Sequence, residues 1–175
     1  LRHGRTAQLT LDSLVATDDK RESREVGVVD AAGAAATFTG SECNPWAGGV
    51  TDDGYAIQGN ILVGPEVVAA MEQTWLGSAD EPLARRLLAG LTAGDDAGGD
   101  SRGRQSAALL VVTPEGGYGG GSDVLVDLRV DDHVAPVAEL ARLLDLHDLY
   151  FAKPDPDTLL DLEGDMAAEV RTLLA

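Results

Sequence analysis

Glu25-Val26-Gly27-Val28-Val29-Asp30 and Ala34-Ala35-Ala36-Thr37-Phe38-Thr39, with Ala31-Ala32-Gly33 between them, decide how the chain folds. Both runs carry the β-branched and aromatic residues that suit a pleated, half-buried surface. Three small residues between them suit a tight hairpin in which Gly33 takes a positive φ. The stretch is a strand pair.

Upstream, Ala7, Leu9, Leu11, Leu14 and Val15 are spaced for one face of a short helix over Thr6 to Val15, ending before Asp18-Asp19-Lys20-Arg21. Downstream, Gly40 to Gly49 holds Gly and Pro at a density that predicts a loop with no regular element. Cys43 and Trp46 within it are residue types that favour burial, so the loop should fold back onto the protein. Tyr55 to Leu62 reads as a strand, a turn and the approach to a helix, with Pro65 at the first helical position. Val67, Val68, Met71 and Trp75 continue that helix. A second helix runs from Glu81 to Leu91, with Leu83, Leu87, Leu88 and Leu91 on one face and Arg85-Arg86 on the other.

Gly94 to Gly103 reads as a flexible, turn-rich loop. The near-continuous apolar run Gln105 to Val112 predicts a strand covered on both faces. Glycines 116 to 121 join it to a strand over Val124 to Val130. Helices return over Pro136 to Leu149 and after Gly164. Strands and helices come in blocks, which indicates an α+β fold of antiparallel sheets with packed helices.

The chain has 175 residues, 44% of them hydrophobic, enough for a real core and against intrinsic disorder. No apolar stretch approaches the roughly 20 residues of a membrane-spanning helix. Thirty acidic residues against 13 basic leave a net charge of −17, and twenty of the acidic residues are Asp. Such a surface repels nucleic acid and anionic membranes, so neither is an expected partner. The pattern fits a salt-adapted or high-GC source. A single cysteine, Cys43, offers no internal disulfide and no thiolate set for zinc, which points to a reducing, cytoplasmic setting. Leu1 is not an initiator Met, and the chain stops inside the helical pattern of Met166 to Ala175, so both ends read as cut.

Few motifs carry chemistry on their own. There is no Walker A sequence, no Gly-x-Gly-x-x-Gly opening a helix, no His-Glu-x-x-His and no Gly-x-Ser-x-Gly. His3, His133 and His147 are far apart and lack ligand partners at helical spacing, so no metal site is expected. Asp127, Asp131, Asp132 and His133 read as a solvated strand end sooner than a hard-cation site. Cys43 has no neighbour that would lower its pKa and reads as a small hydrophobe. Gln58-Gly59-Asn60 has two open readings. The amides can present N–H groups to a developing oxyanion, or the turn can be one whose Asn accepts left-handed geometry. Arg102-Gly103-Arg104-Gln105-Ser106 also has two: a bidentate grip on a substrate carboxylate, or neutralisation of nearby aspartates.

These residues also carry a resemblance. Thr39-Gly40 with Cys43, Pro45-Trp46-Ala47-Gly48, Gln58-Gly59-Asn60-Ile61-Leu62, Gly99-Asp100 with Arg102 to Leu110, and Asp127 to His133 occur in one order. In that order the chain resembles the bacterial and archaeal family known as domain of unknown function number 1028, an Ntn-hydrolase-like group. The likeness covers Leu1 to about His133. It implies an Ntn-hydrolase-like domain over residues 1–133 that lacks its N-terminal strands. Residues 134–175 resemble the start of a helical module that carries a peptidoglycan-binding label, and no wall binding is inferred from it.

The resemblance implies a four-layer αββα sandwich and, with it, hydrolysis of a small amide or peptide-like substrate by an N-terminal Thr, Ser or Cys. Leu1 has no nucleophilic side chain, so that residue is expected outside this chain. The expected site comprises Asn60 and Gln58 as catalytic amides, with Cys43, Trp46, Gly59, Arg102, Arg104, Gln105 and Ser106 as substrate contacts. No cofactor is expected. A homo-oligomer, or association with the missing N-terminal segment, is. The alternative is a non-catalytic binding or assembly module on the same fold.

Overall fold

A computed structural model describes residues 4–151 and 161–174 of the chain. Leu1, His3 and Ala175 lie outside the described residues. The fold is mixed α+β, and the described residues form five α-helices and three antiparallel two-stranded ribbons.

Helix α1 spans Ala7–Thr17 and is started by Thr6, whose Oγ1 accepts a hydrogen bond from the Leu9 N–H at 3.2 Å. Strands β1 (Glu25–Val29) and β2 (Ala35–Thr39) pair with Val26 opposite Phe38 and Val28 opposite Ala36. Those four residues share one face, and α1 packs on it through Ala7, Leu11 and Val15. The connecting turn has Gly33 at φ +91°, as its sequence predicts.

Strands β3 (Gly48–Asp52) and β4 (Tyr55–Gly59) form the second ribbon, with Gly49 opposite Gln58 and Thr51 opposite Ala56. β3 corrects the expectation that Gly40 to Gly49 holds no regular element: its last two residues begin a strand. The physical reason is the two-residue turn Asp53-Gly54, with Gly54 at φ +82°, which folds the chain back on itself.

The two ribbons lie face to face through small and polar side chains. A Cβ on Gly27 would come within 2.2 Å of Gln58 Oε1 and 3.0 Å of the Ala56 Cβ, and one on Gly49 within 3.0 Å of Thr37 Oγ1. Glycine at these positions is what allows the close approach. On the far side of the second ribbon lies helix α2 (Glu66–Gly77), where the Tyr55 hydroxyl donates to Glu72 at 2.7 Å. Pro65 sits at the N-cap of α2, one residue earlier than expected.

Helix α3 spans Leu83–Asp96 and runs through Gly94, into the segment whose composition predicts a loop. The reason is again close packing. A Cβ on Gly94 would lie 2.9 Å from the Met71 side chain, so the glycine serves the α2–α3 contact inside a helix. Gly98 (φ +114°) and Gly99 (φ +55°) then end α3, with the Gly99 N–H reaching back to the Gly94 carbonyl at 3.0 Å.

Strands β5 (Ala107–Val112) and β6 (Val124–Val130) make the third ribbon. Leu109, Val111, Val126 and Val130 point inward onto Leu88 of α3 and onto Val137, Leu140 and Leu144 of helix α4 (Pro136–Phe151). The opposite face of β5 corrects another expectation: Leu110 and Val112 are exposed, because among the described residues helices cover one side of this ribbon only. Arg85 of α3 reaches both Asp145 and Asp148 of α4. Helix α5 (Gly164–Leu173) completes the described chain. No helix among the described residues is long and apolar enough to cross a membrane.

Candidate functional site

Beyond β4 the chain is laced on both sides. Trp46 and Leu62 exchange backbone hydrogen bonds of 3.1 and 2.9 Å. On the other flank, the Val63 N–H donates to the Gly99 carbonyl (3.1 Å) and the Ser101 N–H to the Ile61 carbonyl (2.8 Å). Three segments far apart in sequence are thereby held in one plane, and the loop after α3 is pinned beside the end of β4.

That pinning borders a half-open cavity of about 950 Å³, within the range of small-molecule sites. Its apolar wall comes from Leu62, Val67, Met71, Leu91 and Val137, and its polar wall from Gln58 and the loop Asp100 to Ser106. Of the site residues expected from sequence, Gln58, Arg102, Arg104, Gln105 and Ser106 come together here. Asp95 and Asp100 line the cavity too and were missed. Their signal was their spacing around Gly98-Gly99, which returns the chain to the helix end.

The two arginines are held by those two aspartates. Asp100 Oδ1 accepts from the Arg102 backbone N–H (2.8 Å) and Nε (2.9 Å), while Oδ2 accepts from Nη2 at 2.6 Å. The Arg102 guanidinium thereby holds the Asp100 carboxyl below its ordinary pKa, and the carboxylate raises that of Arg102. Arg104 donates from Nε to Asp95 Oδ1 at 2.6 Å and from Nη2 to the Asp95 carbonyl at 3.4 Å, at the C-terminal turn of α3. A cation there also meets the negative end of the helix dipole. So the reading of these arginines as partners of nearby aspartates holds in the structure.

Gln58 and Asn60 are unusual in the opposite sense. Gln58 Oε1 and Asn60 Oδ1 are both buried, and among the described residues neither finds a hydrogen-bond donor. A buried polar atom left unpaired costs about 1–3 kcal/mol. Next to them, Ile61 has φ +62°, a conformation that a β-branched residue adopts at a cost on the order of 1–3 kcal/mol. The left-handed residue of this turn is therefore Ile61 and not Asn60. Gly59 lets the Leu62 side chain fold back, to within 2.5 Å of where a Cβ would stand.

Cys43 and the side chain of Trp46 do not line the cavity, although the Trp46 backbone is bonded to Leu62. The Cys43 thiol donates to the Arg24 carbonyl at 3.4 Å, and the Trp46 indole packs against Gly48, where a Cβ would sit 2.7 Å from the ring. Both are half-buried. At the other strand end, His133 Nδ1 accepts from the Ala135 N–H at 3.0 Å and Asp127 pairs with Arg129. Among the described residues no group of three or more His, Cys, Asp or Glu side chains could hold a metal ion.

The fold and cavity define a mixed α+β protein of paired antiparallel ribbons with an arginine-rimmed cleft. Residues 1–140 match the family of unknown function DUF1028, and the chain belongs to that family. It is similar to the crystal structure of protein SPO2555 from Silicibacter pomeroyi, of the same family, with a TM-score of 0.72 and 30% sequence identity. That similarity covers 97% of this chain and 66% of the other. Among curated proteins, none matches.

Proposed function

We propose that the cavity is the substrate site of an amide-bond hydrolase of the N-terminal-nucleophile type, acting on a small amide or peptide-like substrate on a four-layer αββα sandwich. The order α1, first ribbon, second ribbon, α2 supports that layering. The observation that carries the chemical reading is the buried, donor-less amide of Gln58 at the cavity wall; that of Asn60, two residues on, is equally donor-less but stands outside the residues that line the cavity. Turning either amide over places an N–H₂ where the oxygen stands, a donor preorganised for charge that appears only during reaction.

The reaction would run in two halves. A hydroxyl or thiol attacks the amide carbonyl carbon, charge moves onto the carbonyl oxygen, and the C–N bond breaks as the amine leaves with the nucleophile's proton. Water then cleaves the acyl-enzyme. Ser106 is the hydroxyl at this cavity, and it has no hydrogen-bonded base among the described residues, so the reading takes the nucleophile from another segment or chain.

The test is release of amine from a panel of N-acyl amino acids and dipeptides by the native protein, with mass spectrometry of its mature N-terminus. Amine release and a mature Thr, Ser or Cys are expected. Any other mature residue, or no amine, overturns the mechanism, and binding without turnover favours the non-catalytic module.

A further inference from the structure

Arginine is placed with economy here. In a chain of net charge −17, Arg102 and Arg104 stand within one short loop at the rim of a cavity whose opposite wall is aliphatic. Their aspartates are the less exposed partners: side-chain exposure is 24% for Asp95 against 51% for Arg104, and 32% for Asp100 against 69% for Arg102. At this rim guanidinium is therefore more accessible to a ligand than carboxylate. Asp100 occupies Nε and Nη2 of Arg102, and Asp95 occupies Nε of Arg104. Among the described residues the Nη1 of each arginine has no acceptor, so each keeps donors to offer while its carboxylate fixes its direction.

From this arrangement we infer that the cavity recognises an amide whose apolar body ends in a free carboxylate, such as an N-acyl amino acid or a peptide C-terminus, with Arg102 and Arg104 holding the carboxylate. The inference rests on the cavity being the substrate site. The aliphatic wall takes the body, and the planar fork of a guanidinium matches a carboxylate edge. Preorganised donors bind with less ordering cost. The rim's two cations are balanced by its two carboxylates, and the rest of the surface is strongly negative, so a single charge is tolerated where a phosphate dianion is disfavoured.

Calorimetric titration of the full protein with N-acetyl-leucine and with N-acetyl-leucinamide tests this, with inorganic phosphate as the anion control. The acid should bind about ten- to a hundredfold tighter than the amide, the worth of one or two charge-assisted hydrogen bonds. Arg104→Gln should remove a large part of the difference, and Arg102→Gln with Arg104→Gln should bring the acid down to the amide's affinity. Arg104→Lys should keep part of the difference, and Arg142→Gln, an exposed arginine on α4 paired with Glu139, should keep all of it. Equal binding of acid and amide, no binding of either, or phosphate competing as well as the acid overturns the assignment. Acid-selective binding without amine release leaves this inference standing and removes the hydrolase. Amine released from acid and amide alike does the reverse.

Discussion

The two ends of the stacked ribbons are built on opposite terms. At the turn end the Asp30 carboxylate and the turn backbone are paired. Asp30 Oδ1 accepts from the Ala32 and Ala34 N–H groups (2.9 and 3.2 Å), and Oδ2 accepts from the Ala7 N–H at the start of α1 (2.9 Å). The Gly54 N–H donates to the Gly33 carbonyl at 2.7 Å, tying one hairpin turn to the other. At the cavity end Gln58 and Asn60 keep buried oxygens without donors, and Ile61 holds a left-handed backbone. One end of the same pair of ribbons fastens the fold. The other carries the uncompensated groups, which persist because the fastened end and the laced strands over-determine their positions.

Substitutions at the two ends should therefore separate function from stability. Asn60→Ala should have the largest effect, lowering turnover about 10²-fold with the unfolding midpoint little changed. Equal turnover would remove Asn60 from the oxyanion role. Gly33→Ala should do the opposite, costing about 1–2 kcal/mol in urea unfolding because a Cβ is strained at φ +91°, with turnover intact. Gln58→Met sharpens the contrast further. It removes the orphaned oxygen at similar length, so stability should rise by about 1 kcal/mol while turnover falls. A destabilised Gln58→Met would mean that the amide is satisfied and that the two ends are not so different.

The turn end was the more legible of the two in the sequence, and the reason is locality. A hairpin such as Glu25 to Thr39 is specified by its own residues, Gly33 above all, and Val124 to Val130 by its own apolar pattern. The features that escaped depend on residues far away. Gly94 reads as a loop glycine until Met71 is seen 2.9 Å from where its Cβ would be. Gly48-Gly49 reads as loop until Asp53-Gly54 pairs them with Gln58 and Gly59. Exposure of Leu110 and Val112 follows from how many layers cover the third ribbon, which no local pattern states. At the candidate cavity, Gln58 and the Arg102 to Ser106 loop are singled out by residue type alone. That Cys43 and Trp46 stand apart, and that Asp95 and Asp100 hold the arginines, follows from the lacing of residues 61–63 between two distant segments.

The smallest effect should appear in acid, and it also belongs to the turn end. Three backbone N–H groups point at the Asp30 carboxylate, first that of Ala7, then those of Ala32 and Ala34, and they hold its pKa below the ordinary value. A carboxyl with a lowered folded pKa contributes stability that is fully present above its unfolded value of about 4, and that is lost as pH falls through the folded value. Asp30→Asn keeps an oxygen to accept but has no charge to titrate. The stability difference between the parent chain and Asp30→Asn should therefore be constant above about pH 5 and shrink steadily below pH 4. Asp18 and Glu22 also titrate below their ordinary values, Asp18 chiefly through the Lys20 N–H and Glu22 through the Ser41 hydroxyl. Both proteins share those groups, so their contributions cancel in the difference. Urea unfolding of the two chains at pH 7, 5, 4 and 3 measures it. A difference that stays constant down to pH 3 would show that the charge of Asp30 adds nothing to the N–H cage around it, and that the turn end is fastened by geometry alone.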